Sequence, residues 1–104
     1  MPTMTAYAPG TFSWTDLAAH DARAAERFYT ALFGWTAEHT RFGPDEDDVY
    51  VMLTKDGRDA AALYRMDPAQ RSQGVPSSWL NYVTVESAAD TAARARALGG
   101  VVLA

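Results

Sequence analysis

Two tryptophans stand at matching places in the chain, and each is followed two positions later by a short polar side chain: Trp14 by Asp16, and Trp79 by Asn81. On strands, where side chains alternate with a period of two, each pair shares a face. An indole offers an N–H donor and a flat apolar ring but no lone pair for a metal. A carboxylate or amide beside it can orient a ligand. Together with Tyr50, Met52 and Tyr64, these residues have the chemistry of a cavity for a flat organic molecule, mostly apolar with a few polar groups. Asp16 and Asn81 are also the candidates for weak oxygen ligation. A hard cation prefers six or more oxygens, however, and two do not make a site.

The remaining reactive residue types form no recognisable constellation. His20 and His39 are the only histidines, and general acid–base work needs a positioned partner that the sequence does not identify. The acidic run Asp45-Glu46-Asp47-Asp48 lacks the alternation and closing glutamate of a calcium loop, and is expected as a solvated hairpin tip. There is no glycine-rich phosphate loop, no Gly-x-Ser-x-Gly elbow and no His-Glu-x-x-His motif, so nucleotide transfer and serine hydrolysis have no foothold. With no cysteine there is no thiolate nucleophile, disulfide or cysteine-based zinc site, which fits a reducing compartment. The formal charge of −4 and the lack of a basic stripe argue against nucleic acid and anionic membrane as partners. The opening MPTMTAYAPG has neither a basic start nor an apolar core of the signal-peptide kind, and no apolar run approaches a membrane span. A cytoplasmic location is expected.

The elements that must position these residues follow from local pattern. Gly10 to Leu17 is rich in β-branched and aromatic residues after a Pro-Gly breaker and reads as a strand. Asp21 can cap a helix over Ala22 to Phe33, with Ala25, Phe28, Tyr29 and Leu32 on one face and Gly34 closing it. Trp35 to Phe42 and Val49 to Thr54 read as strands joined by the acidic loop. The Asp56-Gly57 turn then returns the chain as a strand over Asp59 to Tyr64. Residues 66–78, with Pro68, Gly74, Pro76 and three serines, have linker chemistry. A strand over Trp79 to Val85, a helix over Ala88 to Ala97 and a strand opening at Gly99 to Leu103 complete the order.

That order contains a repeat. At an offset of 65, Trp14 falls on Trp79, Asp16 on Asn81, Asp21 on Glu86, Ala24 on Ala89, Phe33 on Leu98 and Gly34 on Gly99. Three identities in 21 positions are thin alone; the agreement in element order and spacing is what carries the duplication. The expected organisation is α+β: an N-terminal arm over 1–9, a βαβββ module over 10–65, a linker over 66–78, and the β-α-β start of a second module over 79–104. Such an arrangement exposes strand edges, so a longer parent protein, a homodimer or a domain-swapped oligomer is expected to complete it.

The run Trp14-Thr15-Asp16-Leu17-Ala18-Ala19-His20-Asp21, followed by Phe28-Tyr29 and Leu32-Phe33-Gly34-Trp35, resembles the vicinal oxygen chelate superfamily of glyoxalase I, bleomycin resistance proteins and extradiol dioxygenases. The resemblance covers Gly10 to Ala104 and is greatest to metal-poor, actinobacterial glyoxalase-like proteins. It implies paired βαβββ modules forming a curved sheet around a cavity. In catalytic members it implies a divalent metal held by residues on the first and last strands of each module. Carried onto this chain, the first-strand positions fall on Trp14 and Trp79. The last strand of the first module reads Ala60-Ala61-Ala62-Leu63-Tyr64, without the family's glutamate. The sequence therefore supports no cofactor, with a divalent metal disfavoured. It points to a metal-independent module that binds an aromatic or antibiotic-like small molecule, with Trp14, Asp16, Tyr50, Met52, Tyr64, Trp79 and Asn81 as ligand-binding residues. The alternatives are a glyoxalase-like lyase, isomerase or dioxygenase-type enzyme of secondary metabolism, and a non-catalytic assembly module.

Overall fold

A computed structural model describes residues 7–103 of the protein. Most of the expected N-terminal arm, 1–9, lies outside the described residues. The elements are β1 (Phe12–Ala19), α1 (Ala22–Phe33), β2 (Thr36–Arg41), β3 (Val49–Lys55), β4 (Arg58–Arg65), α2 (Pro68–Ser72), β5 (Ser78–Val83) and α3 (Ala88–Ala97). The strands form one mixed sheet in the order β2-β3-β4-β1-β5, an α+β fold containing the expected βαβββ module. The chain divides into a larger compact unit, Trp14–Asn81, and a smaller one made of the described residues outside it.

In the larger unit β1 runs parallel to β4, while β2, β3 and β4 are antiparallel neighbours. The β3–β4 hairpin turns at Asp56 and Gly57, both at positive φ, as the Asp-Gly pair predicts. Period-two alternation then divides the sheet into two faces. On one, Leu17, Ala19, Val51, Leu53, Ala61 and Leu63 form the buried core. Helix α1 covers it with Ala22, Ala25 and Tyr29, while Phe28 and Leu32 of the expected apolar stripe remain 58% and 57% exposed. The stripe is thus narrower than its spacing suggests, because the small Ala22 and Ala25 bring the helix close and only Tyr29 reaches far. Asp21 caps α1, its side chain accepting from the Ala24 N–H at 3.0 Å.

The hairpin tip is solvated at Asp45 and Glu46, as expected, but its aspartates are also paired. Asp45, Asp47 and Asp48 gather around the Arg65 guanidinium at 3.8, 3.4 and 3.2 Å, and Arg23 of α1 reaches Asp47 at 3.1 Å. The acidic loop is therefore closed down on the end of β4, a pairing between residues distant in sequence that local pattern does not reveal. Residues 66–78 are also more ordered than linker chemistry implies. They include α2, capped by Asp67, and are tied to the end of β1 by bonds involving His20: its main-chain N–H donates to Ser77 Oγ at 2.9 Å, and its ring Nε2 lies 2.6 Å from the Val75 carbonyl. His20 is a strut. His39 pairs with Glu26 at 2.6 Å, joining β2 to α1.

In the smaller unit, the Gly10 N–H donates to Thr84 O at 2.7 Å and the Thr84 N–H to Thr11 O at 2.9 Å. Helix α3 is capped by Ser87, which accepts from the Asp90 N–H at 3.1 Å, one position beyond Glu86, the counterpart of Asp21. Glutamate is a poor N-cap and serine a good one, which accounts for the shift. The helices of both repeat copies end at a left-handed glycine, Gly34 at φ 68 and Gly99 at φ 97, where a Cβ would be strained. The strand expected to open at Gly99–Leu103 is not formed among the described residues. Val101 and Leu103 are 82% and 95% exposed, so no apolar gain holds them extended.

Leu53 is fully buried at the centre of the core. Leu53→Ala should destabilise the protein by about 2–5 kcal/mol through lost transfer energy and a cavity, measured as a shift in the urea midpoint.

Candidate functional site

The second face of the sheet is built from two rows that cross four strands. Glu38, Met52, Ala62 and Asp16 pair successively across β2, β3, β4 and β1; Thr40, Tyr50, Tyr64 and Ala18 form the adjacent row. Directly opposed residues share a face, so these rows lie on the side away from the α1-covered core. Trp14, two positions before Asp16, joins them.

The polar groups of this face are chained. Trp14 Nε1–H donates to Tyr50 Oη at 3.3 Å, and the Tyr50 hydroxyl donates to Asp16 Oδ2 at 3.2 Å. The Tyr50 and Tyr64 rings stack with centroids 6.1 Å apart and planes 18° apart. Trp14, Tyr50, Met52 and Tyr64 are half-buried, whereas Asp16 is 5% exposed. The Tyr50–Asp16 bond spans an intervening strand. Neighbouring strands lie about 4.8 Å apart, so the tyrosine must lean across β4, and the residue in its path is Ala62, fully buried and with only a methyl group. The alanine run that makes β4 a weak strand by propensity is what admits the contact.

Burial raises the Tyr50 pKa above its ordinary 10.0; the Trp14 hydrogen bond opposes this and the Asp16 carboxylate adds to it. Tyr64 is likewise raised, first by burial and then by the charges of Asp16 and Tyr50. Both phenols therefore stay protonated, and Tyr50 is a hydrogen-bond donor to Asp16. At the Tyr64 end of the face lies an open groove of about 340 Å³, walled in part by Phe42, Asp48, Arg65 and Pro68.

The structure separates the two tryptophans. Trp79 was expected to line the cavity with Trp14. Its Nε1–H instead donates to Tyr29 Oη at 3.1 Å, its ring meets the Tyr29 ring edge-on at 5.2 Å, and it packs against the α1-covered core. Asn81 does not stand with Asp16 either: Thr15 Oγ1, on the neighbouring position of β1, lies 3.1 Å from Asn81 Oδ1 and 3.1 Å from the Leu80 carbonyl. The physical reason is pairing. Which way a strand's side chains face depends on the neighbour it joins, and the aromatic surface of α1 takes Trp79. Of the seven expected residues, the second face brings together Trp14, Asp16, Tyr50, Met52 and Tyr64. Sequence reasoning missed Ala62, whose signal was its small size at an otherwise bulky strand.

Residues 11–104 match the Glyoxalase/Bleomycin resistance protein/Dioxygenase superfamily. The chain belongs to that superfamily. It is 38% identical over 86 residues to a protein named putative glyoxylase CFP32 in Mycobacterium bovis, a match covering 83% of this chain and 32% of the relative; the same figures hold for the Mycobacterium tuberculosis counterpart. It is also 33% identical over 110 residues to anthracycline biosynthesis protein DnrV of Streptomyces peucetius, covering 96% of this chain and 39% of that protein. The chain thus spans less than two-fifths of these relatives' length.

The divalent metal that the superfamily implies does not fit the residues present. The first-strand positions Trp14 and Trp79 carry indoles, whose N–H groups are donors only and are given to Tyr50 and Tyr29. The last strand of the module has alanines over 60–62. Among the described residues, no three histidine, cysteine, aspartate or glutamate side chains are grouped so as to hold a metal.

Because the folded pKa values of Tyr50 and Tyr64 lie above the unfolded value, the unfolded chain loses these protons first as pH rises. Their contribution to stability should be constant below about pH 10 and fall as pH climbs from there through the folded values. Tyrosinate absorbance and denaturation midpoints test this. Asp16→Asn should bring the Tyr50 titration down toward its ordinary range, since the carboxylate's charge is among its raising causes.

Proposed function

We propose that this chain supplies one wall of a metal-independent site for a planar aromatic small molecule, with Trp14, Tyr50 and Tyr64 as ring contacts, Met52 as an adaptable apolar filler and Asp16 fixing the polar groups. The observation that carries this reading is the Trp14–Tyr50–Asp16 chain. A half-buried aromatic surface is held in one arrangement by two hydrogen bonds ending on a buried carboxylate. Rings locked beforehand lose little freedom on binding, and aromatic contacts contribute beyond their buried area. The relative named for anthracycline biosynthesis is in keeping with a polycyclic ligand. A homodimer, a swapped oligomer or the remainder of a longer two-module protein would close the site. A cytoplasmic location accords with the absence of cysteine, and no helix among the described residues is long and apolar enough to cross a membrane.

A catalytic reading draws on the same bond. Tyr50 and Asp16 form a two-member proton path, and a glyoxalase-like enzyme of secondary metabolism would use it; Tyr50→Phe would then abolish turnover while leaving ligand affinity nearly intact.

Titration with an uncharged planar tricyclic quinone, followed by equilibrium dialysis, should give saturable binding that weakens about tenfold in Trp14→Leu. Chelation should leave that affinity unchanged. Tight stoichiometric uptake of Zn²⁺, Ni²⁺ or Mn²⁺, with ligand binding lost on its removal, would overturn the metal-independent reading.

A further inference from the structure

The electrostatic sign of the second face follows from its register. The two rows carry the carboxylates of Glu38 and Asp16 and no lysine or arginine. The hydrogen-bond direction has the same sense: the Trp14 donor is directed to Tyr50 and the Tyr50 donor to Asp16, so the chain ends on negative charge. The stacked Tyr50 and Tyr64 rings present π-faces, which attract cations. An incoming anion would meet Asp16 with no basic side chain in either row to offset it, and Arg65, at the Tyr64 end of the face, has its guanidinium engaged by Asp45, Asp47 and Asp48. A cation would gain both from the ring faces and from the carboxylate's field. Asp16 is only 5% exposed, so that field acts mainly across the Tyr50 ring, where a low local dielectric strengthens it. Burial, which penalises charge of either sign, is the first cause of the raised tyrosine pKa values, but the Asp16 charge adds to it at both rings, and that part acts against anions alone.

We propose that the second face selects a planar ligand bearing a protonated amine over a ligand of the same shape bearing a carboxylate. This rests on the aromatic-site reading above and specifies the ligand class it takes.

Three probes of similar outline test it: 9-(aminomethyl)anthracene as the cation, anthracene-9-methanol as the neutral compound and anthracene-9-carboxylate as the anion, each titrated at neutral pH. The wild-type protein should bind the amine at least about tenfold more tightly than the carboxylate, with the alcohol between them. Asp16→Asn should narrow the gap to about threefold or less. Glu46→Gln, which removes an equal charge from the exposed hairpin, should leave it unchanged. Equal or tighter binding of the carboxylate overturns the charge selection, and if all three probes still weaken in Trp14→Leu the aromatic site survives that failure. A gap that narrows equally in Glu46→Gln assigns the preference to net charge and also overturns the proposal. If no probe binds, the aromatic site and its selectivity fall together. The wild-type ranking decides the matter even if Asp16→Asn does not fold.

Discussion

The hydrogen bond from Tyr50 to Asp16 reaches across a strand that belongs to neither residue, and the second face is organised around it. It requires that β1 lie parallel to β4 in the register that sets Asp16 beside Ala62, and that residue 62 be no larger than a methyl group. The bond turns the Tyr50 ring toward β1, orients its hydroxyl to receive the Trp14 N–H, and sets it parallel to Tyr64. A hydrogen bond to a charged group contributes about 1.5–3 kcal/mol, which favours this arrangement of the Tyr50 ring. The same small residue stands in the stretch where the superfamily's enzymes are expected to place a glutamate, so the volume admits an aromatic ring in place of a metal ligand.

The two sides of the sheet divide the work. One side is apolar, sealed by α1 and centred on Leu53 and Leu63. The other keeps half-buried rings over a buried charge. Trp79, the repeat counterpart of Trp14, has been drawn into the sealed side, where its indole N–H and ring are both engaged by Tyr29. The two βα segments agree in element order and in the left-handed glycines that end both helices, while their tryptophans stand in different surroundings: Trp79 against the sealed core and Trp14 on the second face.

Features encoded locally were legible in the sequence. The α1 boundaries and their Asp21 cap, the Asp-Gly hairpin and the βαβββ order depend on spacing and turn chemistry within a few residues, and they stand close to where spacing puts them. Five of the seven candidate site residues share one face because period-two alternation along β1, β3 and β4 puts them there once those strands pair. What escaped was non-local. The face adopted by Trp79 and Asn81 depends on the partners β5 acquires, the clamp of three aspartates on Arg65 joins residues some twenty positions apart, and the role of Ala62 exists only through what crosses above it.

Trp14 and Trp79 face different environments, and the proposed site makes Trp14 alone of the three tryptophans a ring contact. Nitrogen-15 correlation spectra resolve the indole N–H signals of Trp14, Trp35 and Trp79, each assignable by single Trp→Phe replacement. On addition of an uncharged planar aromatic probe, the Trp14 signal should shift progressively to saturation while those of Trp35 and Trp79 stay in place. A Trp79 signal that moves as far as that of Trp14, or a Trp14 signal that does not move while the probe binds, would contradict the assignment of the site to the second face.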